Sequence, residues 1–465
     1  MGIRLDWEVE TEKTSTRTLG EDPATKRQRR RARLNLLLAI LGFAGVIVGA
    51  FWGIKTVIDE ANNRLETSLR DTVEAEITAL RIGDINAFLR IQRSATDAWE
   101  AQQRAEFNTY QEILYRSETT QLTGQILDIE IDDPRARVAV QEIIDGVPYT
   151  RIWFYWRYDE DIDELTGRPT EGGWRHVPPD YTFWGAPGVY DGQYVDVNYL
   201  GVDAEFGRSM GSTLDEWIQL GCRALDCTAL QPITVSIQPS GVPTNGWDAG
   251  DQWLLRVISP YISRARSDMP FSPQLRNEIG QIIAERLVLI ASGSQWAEAT
   301  TDAAFVQQSI IAWLLGRFTQ VDTGTYFISS LATLYDDAAV GQLLKAVIAD
   351  NRIAVLSQIT GTSLDQSLVD WRDYFTFRLG LENRYIQEGN STGVFALYVN
   401  TPEMQQAALD RLNQGALAQT PTVTLVQGTY PSPDGAPQLV ATVRLNDVEY
   451  QVLFRLVGDE WLRAS

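Results

Sequence analysis

Residues Leu34 to Ile54 (LNLLLAILGFAGVIVGAFWGI) run for 21 positions without a charge. At about 1.5 Å per residue a helix of that length covers roughly 30 Å, the hydrocarbon thickness of a bilayer. The reading is a transmembrane helix over 34–54, with the lipid bilayer as its partner. Lys26, Arg27, Arg29, Arg30, Arg31 and Arg33 precede the run, whereas Lys55 is followed at once by Asp59 and Glu60. The positive-inside rule then places residues 1–33 in the cytoplasm, as a basic and disordered tail, and everything beyond about residue 55 outside it. This describes a single-pass protein of the cell membrane with extracytoplasmic C-terminal domains. A cleaved signal peptide is the competing reading, but its apolar stretch is shorter and ends at a small-x-small site. Here the run continues through Phe51 and Trp52, side chains suited to the interface.

Charge divides with the membrane. The chain of 465 residues carries a net −21; residues 1–33 hold nine basic and six acidic side chains, a net +3, which leaves −24 for the rest. An acidic exterior repels phosphate backbones, so no nucleic-acid partner is expected. One histidine and two cysteines exclude zinc fingers and four-thiolate clusters. No cofactor and no metal is expected. Cys222 and Cys227 lie in a compartment where a local disulfide is the better reading, with free thiols the alternative.

Along the exterior, Ala61, Leu65, Leu69, Val73, Ile77 and Leu80 recur at helical steps, so the membrane helix is expected to run directly into the first domain. Helices over 85–93 and 95–117 follow, and then the period changes. Strands are expected at 124–131, 137–144 and 147–158, with a returning strand from Trp174 to Val177 after an acidic turn. Residues 185–211 read as a Gly/Tyr/Asp-rich connector. From Thr213 to Phe375 the texture is mainly helical, with a strand over Pro232–Ile237 and helices over 273–292, 303–318, 326–334, 338–349, 353–361 and 363–379. A helix at 402–413 and four strands between 422 and 462 return to the earlier rhythm, and Trp461-Leu462-Arg463 closes the chain much as Trp174-Arg175 closes the first unit. The expected fold class is α+β multidomain: a transmembrane helix, then two cone-shaped α+β domains (55–190 and 379–465), each with helices on a curved antiparallel sheet, flanking a mainly helical domain (191–378).

Ala79-Leu80-Arg81-Ile82-Gly83-Asp84, the strand ending Arg151-Ile152-Trp153-Phe154-Tyr155, and Gly173-Trp174-Arg175-His176-Val177 together resemble the nuclear-transport-factor-like, or SnoaL-like, superfamily. The resemblance implies a cone that hosts an enzyme, a small-ligand site or an interaction module, and the segment after about 380 looks like a second member. The middle region resembles the peptidase-MA-like part of membrane-attached bacterial zinc metallopeptidases of the gluzincin type. It does so through Pro232–Ile237, through Leu254–Pro260, and most specifically through Thr360-Gly361-Thr362-Ser363-Leu364 ahead of Trp371-Arg372-Asp373-Tyr374. That family's chemistry needs HExxH on one helix and a later acidic ligand. In the matching helix Ala284 and Val288 stand where the two histidines would be, leaving only Glu285, and Trp313-Leu314-Leu315-Gly316 lacks the later acid. The resemblance therefore implies a pseudoenzyme.

The remaining candidates have plainer readings beside them. Glu285 alone has no metal or nucleophile to serve, so a paired structural carboxylate is favoured. Asp159, Asp161 and Asp163 imitate the opening of a calcium loop, but Glu164 and Thr170 occupy positions that need Gly and Glu, which favours a solvated turn. Tyr149, Trp153 and Tyr155 alternate onto one face of a strand, and with His176, Tyr181 and Trp184 they are the candidate lining of a pocket in the first cone; core packing is the simpler reading. The functional expectation is a membrane-anchored, non-enzymatic binding or scaffold protein with a protein or peptide partner outside the cytoplasm. The alternative is a small-molecule-binding or enzymatic first domain.

Overall fold

The computed structural model describes residues 23–94, 96–162, 169–170, 172–227, 230–241 and 243–465. By contact the described residues form two units, one built on residues up to Thr78 together with Arg157–Arg175, the other on Ala79–Trp156 and His176–Ser465.

The first helix, α1, runs from Pro23 to Ile82 without a break for 60 residues. Proline at its first position costs no hydrogen bond, because that N–H has no helical acceptor. Pro23–Arg33 are therefore helical, which corrects the expectation of a disordered tail up to residue 33; residues 1–22 lie outside the described residues. Along the apolar run the described side chains are open to solvent, with Phe43 at 70% and Trp52 at 65% exposure. Further on the same helix buries Leu69, Val73 and Ile77. Trp174 is buried and donates its Nε1–H to the Leu65 carbonyl at 3.3 Å. The two-residue strands β4 (Asp161–Ile162) and β5 (Pro169–Thr170) pair with each other, and Asp163, Glu164 and Gly167 of the acidic turn lie outside the described residues.

The second unit is α+β. After α2 (Ile85–Ile91), capped by Asp84, and α3 (Asp97–Arg116), strands β1 (Ile126–Asp132), β2 (Arg135–Ile144) and β3 (Val147–Tyr158) form an antiparallel meander. Its last neighbour beyond β3 comes from far along the chain: after β6 (Gly173–Val177) and the elements below, β12 (Ala265–Arg266) pairs antiparallel with Thr150 and Tyr149.

The segment read as a connector is structured. β7 (Pro187–Asp191) and β8 (Val195–Leu200) form a hairpin that straddles the expected 190/191 boundary, and α4 (Ala204–Leu225) begins well before Thr213. β8 lies parallel to β9 (Ile233–Gln238), which lies parallel to β11 (Leu254–Ile258), and β10 (Gly246–Trp247) closes that edge. Helices α5 (Pro273–Ala291), α6 (Asp302–Thr319), α7 (Tyr326–Tyr335), α8 (Asp337–Asp350) and α9 (Leu356–Thr360) follow. The helix expected from Ser363 starts only at Arg372, as α10 (Arg372–Gln387): the Ser363 carbonyl closes one turn onto Gln366 and Ser367, and Asp370 accepts the Arg372 N–H ahead of α10. After α11 (Ser391–Ala396) and α12 (Pro402–Gln414), strands β13 (Thr422–Gly428), β14 (Gln438–Leu445), β15 (Val448–Val457) and β16 (Glu460–Arg463) make an antiparallel meander. Its inner residues Val443, Phe454 and Trp461 belong to the same apolar core as the helices before it.

Candidate functional site

Alternation along β3 sends Tyr149, Arg151, Trp153 and Tyr155 to one face, and the register with β2 sets Glu142 directly across from Tyr149. That face has three zones. At its deep end the His176 ring lies 5.5 Å from Trp99, 5.5 Å from Trp153 and 5.2 Å from Tyr155, and all four side chains are buried. The aromatic group fills its own space. His176 is fixed by backbone too, forming a parallel bridge with Gln92 and accepting from the Arg93 N–H at 2.8 Å.

A charged belt comes next. Glu142 is 2% exposed and accepts a hydrogen bond from the Tyr110 hydroxyl on α3. Arg151 pairs with Glu106, donates to the same tyrosine oxygen and stands 3.9 Å from Glu142. Arg264 approaches the other carboxylate oxygen at 3.8 Å. Loss of water pushes the Glu142 carboxyl above its ordinary value, opposed by Arg264 and by the tyrosine hydrogen bond.

Beyond the belt lies a cavity of about 650 Å³, bounded by Ile144 and Tyr149 on the sheet, by Ser259, Arg264 and Arg266 from the segment between β11 and α5, and by Gln274 in the first turn of α5. Arg266 is held in a two-point pair with Asp268. Of the six residues expected to line a pocket in the first cone, Tyr149 alone lines this cavity, while Trp153, Tyr155 and His176 are the packed depth behind it. Tyr181 and Trp184 lie on the opposite side of β3. Phe154, of opposite parity to Trp153 and Tyr155, stacks on Trp184 at 5.8 Å, and Tyr181 contacts Trp184 at the same distance. The six candidates do not meet at one pocket, since proximity in sequence to β6 says nothing about which face a loop returns to.

Behind Trp184 is a second buried polar group. Asp203, fully buried at the start of α4, accepts the Trp184 Nε1–H at 2.7 Å and the Ser259 hydroxyl. Burial raises its carboxyl to about 6 against those two hydrogen bonds.

On α5, Ala284 and Val288 are fully buried in the core, while Glu285 is half-buried and accepts from the Gln281 amide at 2.6 Å. Trp313 and Leu314 are likewise core residues. The Trp371-Arg372-Asp373-Tyr374 segment is structural in its contacts. Asp373 accepts the Phe327 N–H at 2.9 Å at the start of α7, Arg372 stacks 3.5 Å over the Tyr326 ring, and Trp371 packs against Phe327 and Trp461. Cys222 and Cys227 are joined in a disulfide at the end of α4. Among the described residues no group of three or more His, Cys, Asp or Glu side chains is placed to hold a metal ion.

The belt leaves little trace in the sequence. One signal was available: Ala136, Val138, Val140 and Glu142 share a parity, so a carboxylate continues an apolar register. Arg264 has no such signal, since it enters beside a two-residue strand contributed from more than a hundred positions away. Comparison of the chain with protein-family models, with curated proteins and with solved structures finds no match in any of the three.

Proposed function

We propose that this is a single-pass, membrane-anchored protein whose residues beyond about 55 stand outside the cytoplasm and bind a protein or peptide partner without catalysis. The observation that carries the reading is α1, in which an apolar stretch whose described side chains are exposed follows a basic cluster and continues into a folded, acidic unit. Among the described residues it is the one helix long and apolar enough to cross a membrane. The helical middle region enters the proposal as a metallopeptidase-like scaffold whose ligand positions are given over to packing. Ala284 and Val288 support this, because both are sealed into the core where a metal would need open histidines. The bacterial, extracytoplasmic setting and the cone-domain kinship belong to the same proposal.

The full chain expressed in membranes tests it. Resistance to alkaline extraction, with protease access to residues beyond 55 from the outer side only, is the expected result. Soluble protein, or stoichiometric zinc together with metal-dependent peptide cleavage, overturns it.

A further inference from the structure

Arg264 makes no hydrogen bond to any described residue; its neighbours are the Glu142 oxygen at 3.8 Å and the face of the Tyr110 ring at 5.7 Å. Glu142 Oε2 in turn accepts no hydrogen bond among the described residues, although the side chain is almost wholly buried. Arg264, its side-chain donors unspent, is a lining residue of a cavity of about 650 Å³, a size that takes a ligand of several residues or a small organic molecule. Several polar neighbours in the wall are committed: Asn245 donates to Glu278 and accepts from Ile258 N, Ser272 caps the Leu275 N–H, and Arg266, the other charged side chain there, is closed on Asp268. Arg264 is thus the charged group in this wall that lacks a hydrogen-bond partner among the described residues, and its planar fork matches the two oxygens of a carboxylate.

We propose that this cavity binds a carboxylate through Arg264, and that the setting favours the C-terminal end of a peptide as its source. Resting on the reading of the chain as a partner-binding protein, this names what the partner presents. Two features favour a peptide. Ile144, Ile258 and Leu275 give the cavity apolar wall for a terminal side chain. β12 is also the last strand of its sheet, bonded to β3 on one side only, so its outer edge can pair with an added backbone. Glu142 holds Arg264 in place as a positioning residue and does not touch the ligand.

The test uses the full chain in lipid nanodiscs and titration calorimetry with three probes: a pool of N-acetylated tetrapeptides with free C-terminal carboxylates, the same pool as C-terminal carboxamides, and benzoate. The acid pool is expected to bind at least about tenfold more tightly than the amide pool, the loss of one charge-assisted contact. Arg264→Gln should weaken the acids by a similar factor, and Arg264→Lys, which keeps charge without the fork, by less. Arg384→Gln, at a separate cavity of about 420 Å³, should leave binding within about twofold. Benzoate binding as tightly as the peptides, and sensitive to Arg264→Gln, supports the carboxylate site with a small acid as its source. Acids and amides binding alike on the unaltered protein, or no binding by any probe, overturns the proposal without recourse to a variant. A partner captured by crosslinking whose affinity ignores Arg264→Gln would leave the broader scaffold reading standing and remove this one.

Discussion

At the scale of single residues, the sharpest consequence is Asp203. Its carboxyl is shifted upward to about 6, against about 3.9 in an unfolded chain, so between those values the folded protein holds a proton that the unfolded chain releases. Stability from this group is therefore greatest below about pH 4 and is lost as pH rises toward 6 and above. Asp203→Asn keeps an acceptor for Trp184 and turns an amide toward the Ser259 oxygen, with no charge to desolvate. Relative to the Asp203→Asn variant, the parent protein should lose on the order of 2 kcal/mol between pH 4 and pH 7. Urea unfolding of both proteins across that range checks it, and parallel pH profiles would show that the buried carboxyl does not keep its proton above the ordinary range. Neither Asp203 nor Arg264 was legible in the sequence, because each owes its state to segments distant along the chain: Trp184 and Ser259 around the first, β3 and α3 around the second. Glu142 was legible in principle, from its place in an apolar register.

At the scale of elements, close approach explains what composition concealed. The connector reading of 185–211 rested on its glycines and tyrosines, the vocabulary of a loop. In the fold they are partners: a Cβ on Gly207 would meet the Tyr199 ring at 2.5 Å, and one on Gly211 the Tyr190 ring at 2.4 Å. The glycines clear space on α4 for the tyrosines of the β7–β8 hairpin, and Asp215 pins the hairpin turn by accepting the Tyr194 N–H at 2.8 Å. Long helices were legible because their apolar period persists over many residues, whereas two-residue strands such as β12 carry no period at all. A close backbone contact joins α4 to α8, where a Cβ on Gly341 would fall 2.2 Å from the Ala224 carbonyl oxygen. Backbone cannot yield as a side chain can. Gly341→Ala should therefore destabilise by about 2 kcal/mol despite a gain of about 1 kcal/mol in helix propensity. The disulfide closes the same end of α4 across a separation of 5 residues, and Cys222→Ser with Cys227→Ser should cost about 2 kcal/mol through the freed unfolded chain. Both changes act on one helix end, so the combined loss should differ from the sum of the separate losses. Chemical denaturation of the single and combined variants measures this, and a stabilised Gly341→Ala would mean that the helices do not approach so closely.

At the scale of the second unit, the expected division at residue 378 has no counterpart in the packing. Phe375 on α10 stacks on Phe454 of β15 with ring centres 4.1 Å apart and planes 6° from parallel, and Trp371 meets Trp461 of β16 at 6.0 Å. The sequence marks this place as a change of rhythm from helices to strands, and periodicity is blind to whether two textures share a core. Here they do, since the same apolar cluster runs from Ile283 on α5 to Trp461. If the two textures were separate domains, truncating Phe454 would melt the C-terminal sheet alone. With a shared core the loss, about 3 to 5 kcal/mol for a buried phenylalanine cut to alanine, falls on both. Phe454→Ala should thus raise amide exchange in α5, α6 and α10 together with β14 and β15, within one cooperative transition. Exchange that rises in the sheet while α5 and α6 keep their protection would restore the three-domain division. A common transition would mean that strain imposed on the C-terminal sheet by a bound partner reaches α5, whose first turn borders the Arg264 cavity.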